Sequence, residues 1–470
     1  MSQSFLSLNF LPKGKFRVDF VEGVTKTNFF TICYGALTTI GLLTFIATAT
    51  NYVLIENFGY TEEFDAAGRR IGSLGKQIGY LHAVAELVLL LVFLPVGLIA
   101  DKIGRRPVYT LGMLTMGLSY FLYPLATGIT ELTIYRMIYA VGMGAATGML
   151  GTVTADYPQN HTRGKMIAIT GMLNAFGVIF INRVFGYFPS WFSSMGYDEA
   201  DSGQYAMWVV AGMCVITAVV VAFGLQKGTP TEEQKKIPYL QQIKSGMAEG
   251  KNPRIFLAYV SAFVARPDLV ILGSFLTAWA TLTGVTSEDY LISIAVRKSI
   301  LVFITVSTTA LIATPFLGYI IDKVDRIKAI PWYMTIAALA YLSMFLVETD
   351  FYLEVMRSIT GNQELVINIL SKEAVPLLIL LGIGQQCAFV SATTLLGQEA
   401  PIIKRGAIVG VFNLAGALGI LICVLIGGWA FDNIHPSAPF VFMGCCNFLV
   451  SLFAIYVSKV APTPKQSIGT

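Results

Sequence analysis

Residues 97–106 read Gly97-Leu-Ile-Ala-Asp101-Lys102-Ile-Gly104-Arg105-Arg106, and a worn copy, Gly318-Tyr-Ile-Ile-Asp322-Lys323-Val-Asp325-Arg326-Ile-Lys328, stands 221 residues further on. Each copy follows a long apolar run. A second pair runs in the same order: Asp156-Tyr-Pro158 with Arg163-Gly164-Lys165 answers to Glu399-Ala-Pro401 with Arg405-Gly406, at an offset of 242. The extra 21 residues match the excess of segment 348–372 over its counterpart, 128–131. A sequence that repeats in one direction at this period is two tandem copies of one unit, related by an axis along the membrane normal if the unit spans a bilayer.

Composition says that it does. Of 470 residues 55% are hydrophobic and only 13% charged, with a mean hydropathy of +0.67, whereas soluble domains are about a quarter charged. A helix needs ~20 apolar residues to cross ~30 Å of hydrocarbon. Apolar runs place spans near 30–54, 78–100, 107–127, 132–155, 165–187 and 204–224, then near 255–283, 299–321, 327–347, 373–397, 407–429 and 438–459. The expectation is an all-α integral membrane protein with twelve transmembrane helices in two six-helix halves, 30–224 and 255–459. Residues 1–29, 225–254 and 460–470 form an N-terminal segment, a linker and a tail. A soluble enzyme, a secreted disulfide scaffold and a disordered chain are excluded. The six cysteines lie in apolar stretches and read as packing residues.

With the N-terminus inside, the inner segments hold 22 of the 32 Lys and Arg and the outer loops 7, with Arg136, Arg183 and Arg266 inside spans. That bias puts both termini in the cytoplasm and makes the net charge of +4 a membrane signature, not a nucleic-acid one. Residues 1–29, with Lys13, Lys15, Arg17 and Lys26, lack the cleavage site of a signal peptide. The linker carries an amphipathic patch at Ile237–Met247, read either as part of a solvated tether or as a partner-binding helix. Segment 351–372 mixes apolar residues with Glu354, Arg357, Asn362 and Glu364, as short helices on the outer membrane surface would.

The loop at 97–106 resembles the signature of the major facilitator superfamily of transporters, G-x-x-x-D-[RK]-x-G-R-[RK]. Arg136-Met-Ile-Tyr-Ala140-Val-Gly142-Met-Gly144 is similar to the superfamily's R-x-x-x-G-x-G, with alanine at the first glycine. The resemblance implies the facilitator fold, and a latch on the cytoplasmic side formed by Gly97, Asp101, Gly104, Arg105 and Arg106 with their repeat Gly318, Asp322 and Arg326. In physical terms, Gly97 admits a close helix neighbour, Gly104 permits a tight turn, and Arg105 and Arg106 stay at the headgroup interface. Asp325 replaces the second glycine in the repeat. The glycine-proline signature of drug/proton antiporters is missing from span five, since 171–186 contains no proline.

Ionisable residues inside spans are expensive and so are candidates for function. His82 and Glu86 lie one turn apart in span two. Burial disfavours and a nearby arginine favours the charged form of a carboxyl, so Glu86, partnered by Arg136 and tuned by His82, is a candidate proton carrier. In span seven Pro267 interrupts the helix near mid-membrane between Arg266 and Asp268, which point to different faces. Asp268 joins the proton-coupling candidates. Arg136, Arg266, Trp279, Gln385, Gln386 and Asn413 are candidates for the substrate cavity, though packing and interhelical hydrogen bonds are the alternative for each.

These residues point to a secondary transporter working by alternating access, in its expected form a proton-coupled symporter of an anionic or polyhydroxylated solute such as an organic acid or sugar, in the cytoplasmic (inner or plasma) membrane. The alternative is a proton-coupled exporter of drugs or metabolites. No enzyme motif, cofactor site or metal site is read, and the expected partners are a small solute, protons and the bilayer, for a protein functional as a monomer.

Overall fold

The computed structural model describes residues 18–60, 73–159, 161–228, 239–324, 326–401 and 404–461. Asp325, the first part of the linker and the terminal basic residues lie outside the described residues, as do the side chains of Asp322 and Arg326.

The apolar runs become helices because a backbone in hydrocarbon must satisfy its own hydrogen bonds. They are α1 (Lys26–Tyr52), α2 (Leu74–Ile103), α3 (Arg105–Leu122), α4 (Ile129–Asp156), α5 (Arg163–Phe185), the short α6 (Phe188–Ser194) and α7 (Glu199–Gly224). After these come α8 (Tyr239–Glu249), α9 (Pro253–Ile271), α10 (Thr277–Thr286), α11 (Ile292–Lys323), α12 (Arg326–Leu342), α13 (Asp350–Thr360), α14 (Val375–Glu399), α15 (Arg405–Asn433) and α16 (Ala438–Val460). A π-helical turn at Leu272–Leu276 joins α9 to α10 in one span, Pro253–Thr286. Eleven stretches among the described residues are long and apolar enough to cross a membrane; α3, which opens on two arginines, supplies the twelfth expected span. The described β-structure is a single bridge, Phe20 to Pro158.

The chain forms two units. The first comprises Met1–Gly59, Val84–Gln234 and Leu291–Ile300, the second Tyr60–Ala83, Lys235–Tyr290 and Leu301–Thr470. Both use one packing scheme. In the first, α1 packs on α5, and α3 on α4 and α7; in the second, α9 packs on α15, and α12 on α14 and α16. Glycines allow the tightest crossings. A Cβ at Gly177 would collide with the Leu37 carbonyl of α1, and one at Gly419 with the Phe263 carbonyl of α9. Gly177 and Gly419 are 242 residues apart, the offset already seen between Arg163 and Arg405.

The second half of the linker is docked rather than loose. Helix α8 lies on α15 with Gly246 close to the Ala407 carbonyl, Tyr259 donates its hydroxyl to Gly246 O at 2.8 Å, and Lys404 pairs with Glu249 at 2.6 Å. In the 348–372 segment one helix forms, α13. It ends at Gly361 in the left-handed conformation (φ +70°) and leaves Phe351, Val355 and Ile359 exposed along one side. The residues after it form turns tied down by Arg357 to Leu365 O (2.9 Å) and Asn368 to Glu288 (2.7 Å) instead of a second helix.

Candidate functional site

In the first unit Arg136 is 2% exposed, so it does not reach out to the interface. Tyrosines of α3, of the turn that follows it and of α4 surround it. Its guanidinium lies 5.1 Å from the centre of the Tyr139 ring and hydrogen-bonds Tyr123. Tyr139 in turn donates to Leu43 O (2.6 Å), Tyr120 to Leu42 O (2.5 Å), and Tyr123 shares a hydrogen bond with Thr50 (3.0 Å). The cation is therefore held by π-faces and hydroxyls that are themselves fastened to α1, which offsets part of the cost of placing an arginine within a span. Glu86 is buried in the same unit, on α2. His82, one turn before it, belongs to the second unit, where its Nε2 shares a 2.6 Å hydrogen bond with Ser274 Oγ.

In the second unit Pro267 separates two environments. Asp268 is wholly buried against α16 and α12: Asn447 Nδ2 donates to its carboxylate at 3.3 Å and Tyr341 faces it. No basic side chain among the described residues pairs with it. Arg266 turns the other way, laying its methylenes against Gly416 and donating to Asn413 Oδ1 at 2.7 Å. Gln385 is buried and Gln386 half-buried on α14, while Asn413 is exposed. Trp279 is sealed in: its Nε1 donates to Glu348 (3.1 Å), which also pairs with His435 (3.1 Å).

The signature loop of the first unit is well defined. Gly104 has φ +94°, a conformation that only glycine adopts without strain, and ends α2 so that α3 can begin at Arg105. Arg105 is not left at the headgroup interface. It is buried in an ion pair with Asp156 at 2.7 Å, so the signature loop is joined by one bond to the start of the second repeated segment of this half. Arg106 reaches Leu225 O at 3.5 Å, and Asp101 is exposed. Close helix contact was expected at Gly97; an added Cβ there, or at Gly318 in the repeat, would meet no described atom within 4 Å. A close approach does occur at Gly142, where a Cβ would stand 2.6 Å from Met116 N; the R-x-x-x-G-x-G segment is thus the seam of α3 on α4.

The profile of the Major Facilitator Superfamily matches residues 30–360. The chain belongs to that superfamily. Magnetosome protein MamH of Paramagnetospirillum magneticum (strain ATCC 700264 / AMB-1) is 26% identical over 388 residues, 81% of this facilitator and 82% of MamH. MamZ of the same organism is 26% identical over 93% of the facilitator, which spans 64% of MamZ's length. The solved structure of the nucleoside transporter NupG superposes with a TM-score of 0.68 at 12% identity, covering 93% of this chain and all of NupG, a likeness of fold. The facilitator is a multi-pass membrane protein and a secondary transporter.

Several partners of its polar residues escape sequence reading. Asn447 is visible as a polar residue inside an apolar span, and Tyr120, Tyr123 and Tyr139 as aromatics three and sixteen residues apart, but nothing local says that they meet Asp268 and Arg136. Gly75-x-x-x-Gly79 is a stronger missed signal, a small-residue motif of the kind that seams helices in membranes.

Proposed function

We propose that this facilitator is a proton-coupled symporter of an anionic or polyhydroxylated small solute, an organic acid or a sugar, in the cytoplasmic membrane, with both termini in the cytoplasm. What supports the reading is the division at Pro267. The guanidinium of Arg266 is held by a neutral amide, a geometry able to exchange that amide for a carboxylate or a hydroxyl pair of a solute. Asp268 and Glu86 are buried carboxyls able to trade a charge for a proton. The proline between Arg266 and Asp268 weakens the helix ladder where the two environments part. With no nucleotide-binding motif in the sequence, an ion gradient drives accumulation.

The test is a thermal-shift screen of purified protein against organic acids, sugars, amino acids and cationic drugs, followed by uptake of the stabilising solute into proteoliposomes under an imposed pH gradient. An acid or sugar should raise the melting temperature, and its uptake should follow protons inward. Stabilisation by cationic drugs alone, or solute movement opposite to protons, would reject the symporter.

A further inference from the structure

Two helices of this protein begin in one unit and end in the other, and each has its N-terminus held by a carboxylate from far along the chain. Helix α2 keeps Leu74–Ala83 in the second unit and continues from Val84 in the first. There Asp432, 4% exposed at the end of α15, takes the backbone amide of Gly75 on Oδ1 (2.7 Å) and that of Lys76 on Oδ2 (2.8 Å). The seat is tight. A Cβ at Gly75 would lie 2.7 Å from Gly428 O, and one at Gly79 would collide with Val424 O.

Helix α11 does the converse, with Leu291–Ile300 in the first unit and the rest in the second. Its Ser293 amide donates to Glu199 Oε2 (2.8 Å) and its Ser293 hydroxyl to Oε1 (3.1 Å). Glu199 is fixed from behind by Ser193 Oγ (2.7 Å) and by Tyr52, whose hydroxyl donates to Glu199 O (2.6 Å). Arg297 caps the Tyr187 ring at 4.5 Å and Ile300 fills the space over Gly186. The first amides of a helix have no partner within it and carry the positive end of its dipole, so a carboxylate that accepts them is a charge-assisted bond of known strength and direction.

The repeat makes these helices equivalents: α2 and α11 each run into a signature loop, and the capped ends are the opposite ones. We propose that Asp432 and Glu199 are positioning residues of the transport cycle. They latch the α2 and α11 ends remote from the signature loops in the conformation described here, and release them for the alternate access state. Because α2 and α11 each belong to both units, alternating access has to bend these helices or break their caps, and the caps, two amides on Asp432 and one amide and one hydroxyl on Glu199, are the weaker link. The inference rests on the alternating-access reading, but not on the identity of the solute.

The experiment needs no solute. In protein freed of its native cysteines, single cysteines replace Leu81 (buried, on the seated end of α2), Ile292 (buried, at the capped end of α11) and, as a remote control, Val210, buried in the first unit. Labelling by a membrane-impermeant maleimide is then compared between the parent and Asp432→Asn, Asp432→Glu, Glu199→Gln and Lys76→Pro. The last deletes one of the two donors to Asp432 within the first helical turn, where proline is tolerated, and keeps the test open where an acid variant does not fold. Loss of a charge-assisted bond should speed labelling at 81 about tenfold in Asp432→Asn and Lys76→Pro, and at 292 in Glu199→Gln, with the 210 site unchanged and Asp432→Glu near parent. Unchanged labelling at 81 and 292 would overturn the proposal. An equal rise at 210 would reduce both carboxylates to general stability.

Discussion

Arg266 and Asp268 stand two residues apart on α9, yet the first donates to Asn413 at 2.7 Å and is part-exposed, while the second is packed against Asn447 at 3.3 Å with no exposed surface. In the conformation described here, Arg266→Cys should therefore react with a small water-soluble thiol reagent and Asp268→Cys should not. Equal rates at the two positions would mean that the division at Pro267 does not persist in the membrane.

The ion pair between Arg105 and Asp156 yields a stability prediction. Its members are 10% and 18% exposed, so removing one leaves a largely desolvated charge on the other. Asp156→Ala should lower stability by about 1–3 kcal/mol, and Arg105→Ala by a similar amount. In a double-mutant cycle the two losses should fail to add, which thermal unfolding of the purified variants in detergent would read directly. Additive losses would show that each side chain acts through other neighbours.

How much of this was legible in the sequence depends on whether the information is local. Span number, the tandem repeat and the family follow from apolar runs and from the loop at Gly97–Arg106, because hydrophobicity and a short motif are written consecutively. The environment of Asp268 is not. Its neighbours Tyr341 and Asn447 lie 73 and 179 residues away, and only the packing of α9 on α16 and the reach of Tyr341 from α12 select them. The partner of His82 is hidden in the same way: helical spacing puts it one turn from Glu86, and only tertiary structure brings Ser274, 192 residues away, to its Nε2. Arg105 likewise carries no local sign that Asp156 will draw it inward.

Helix α13 follows the ninth span with one residue between, so it starts at the membrane boundary. Phe351, Val355 and Ile359 recur every fourth residue on its exposed side at 67%, 38% and 71% exposure, while Tyr352 and Arg357 tie the other side to Glu373 O and Leu365 O. That is the layout of a helix lying in the lipid interface. Phe351→Trp, read above the five native tryptophans, should be quenched by phospholipids brominated close to their headgroups and much less by those brominated near the chain ends. An emission typical of water and indifferent to either lipid would place α13 clear of the bilayer.

Of the two buried carboxyls, Glu86 is the first candidate to carry the coupling proton. This carboxyl is buried within α2, in the same unit as Arg136, whose tyrosine shell keeps the guanidinium from following it freely. A carboxyl so placed changes its preference for the proton when its distance to a fixed cation changes, and Glu86 sits on α2, a helix that belongs to both units. Glutamine keeps the shape and hydrogen-bonding capacity of the side chain but cannot carry a proton on and off. Glu86→Gln should then abolish uphill, pH-driven accumulation in proteoliposomes while leaving exchange of solute down its own gradient near the parent rate. Asp268→Asn, measured beside it, separates the two acids. If pH-driven accumulation survives in Glu86→Gln and is lost in Asp268→Asn, the coupling site moves to Asp268; if both variants accumulate solute uphill, protons are not the coupling ion.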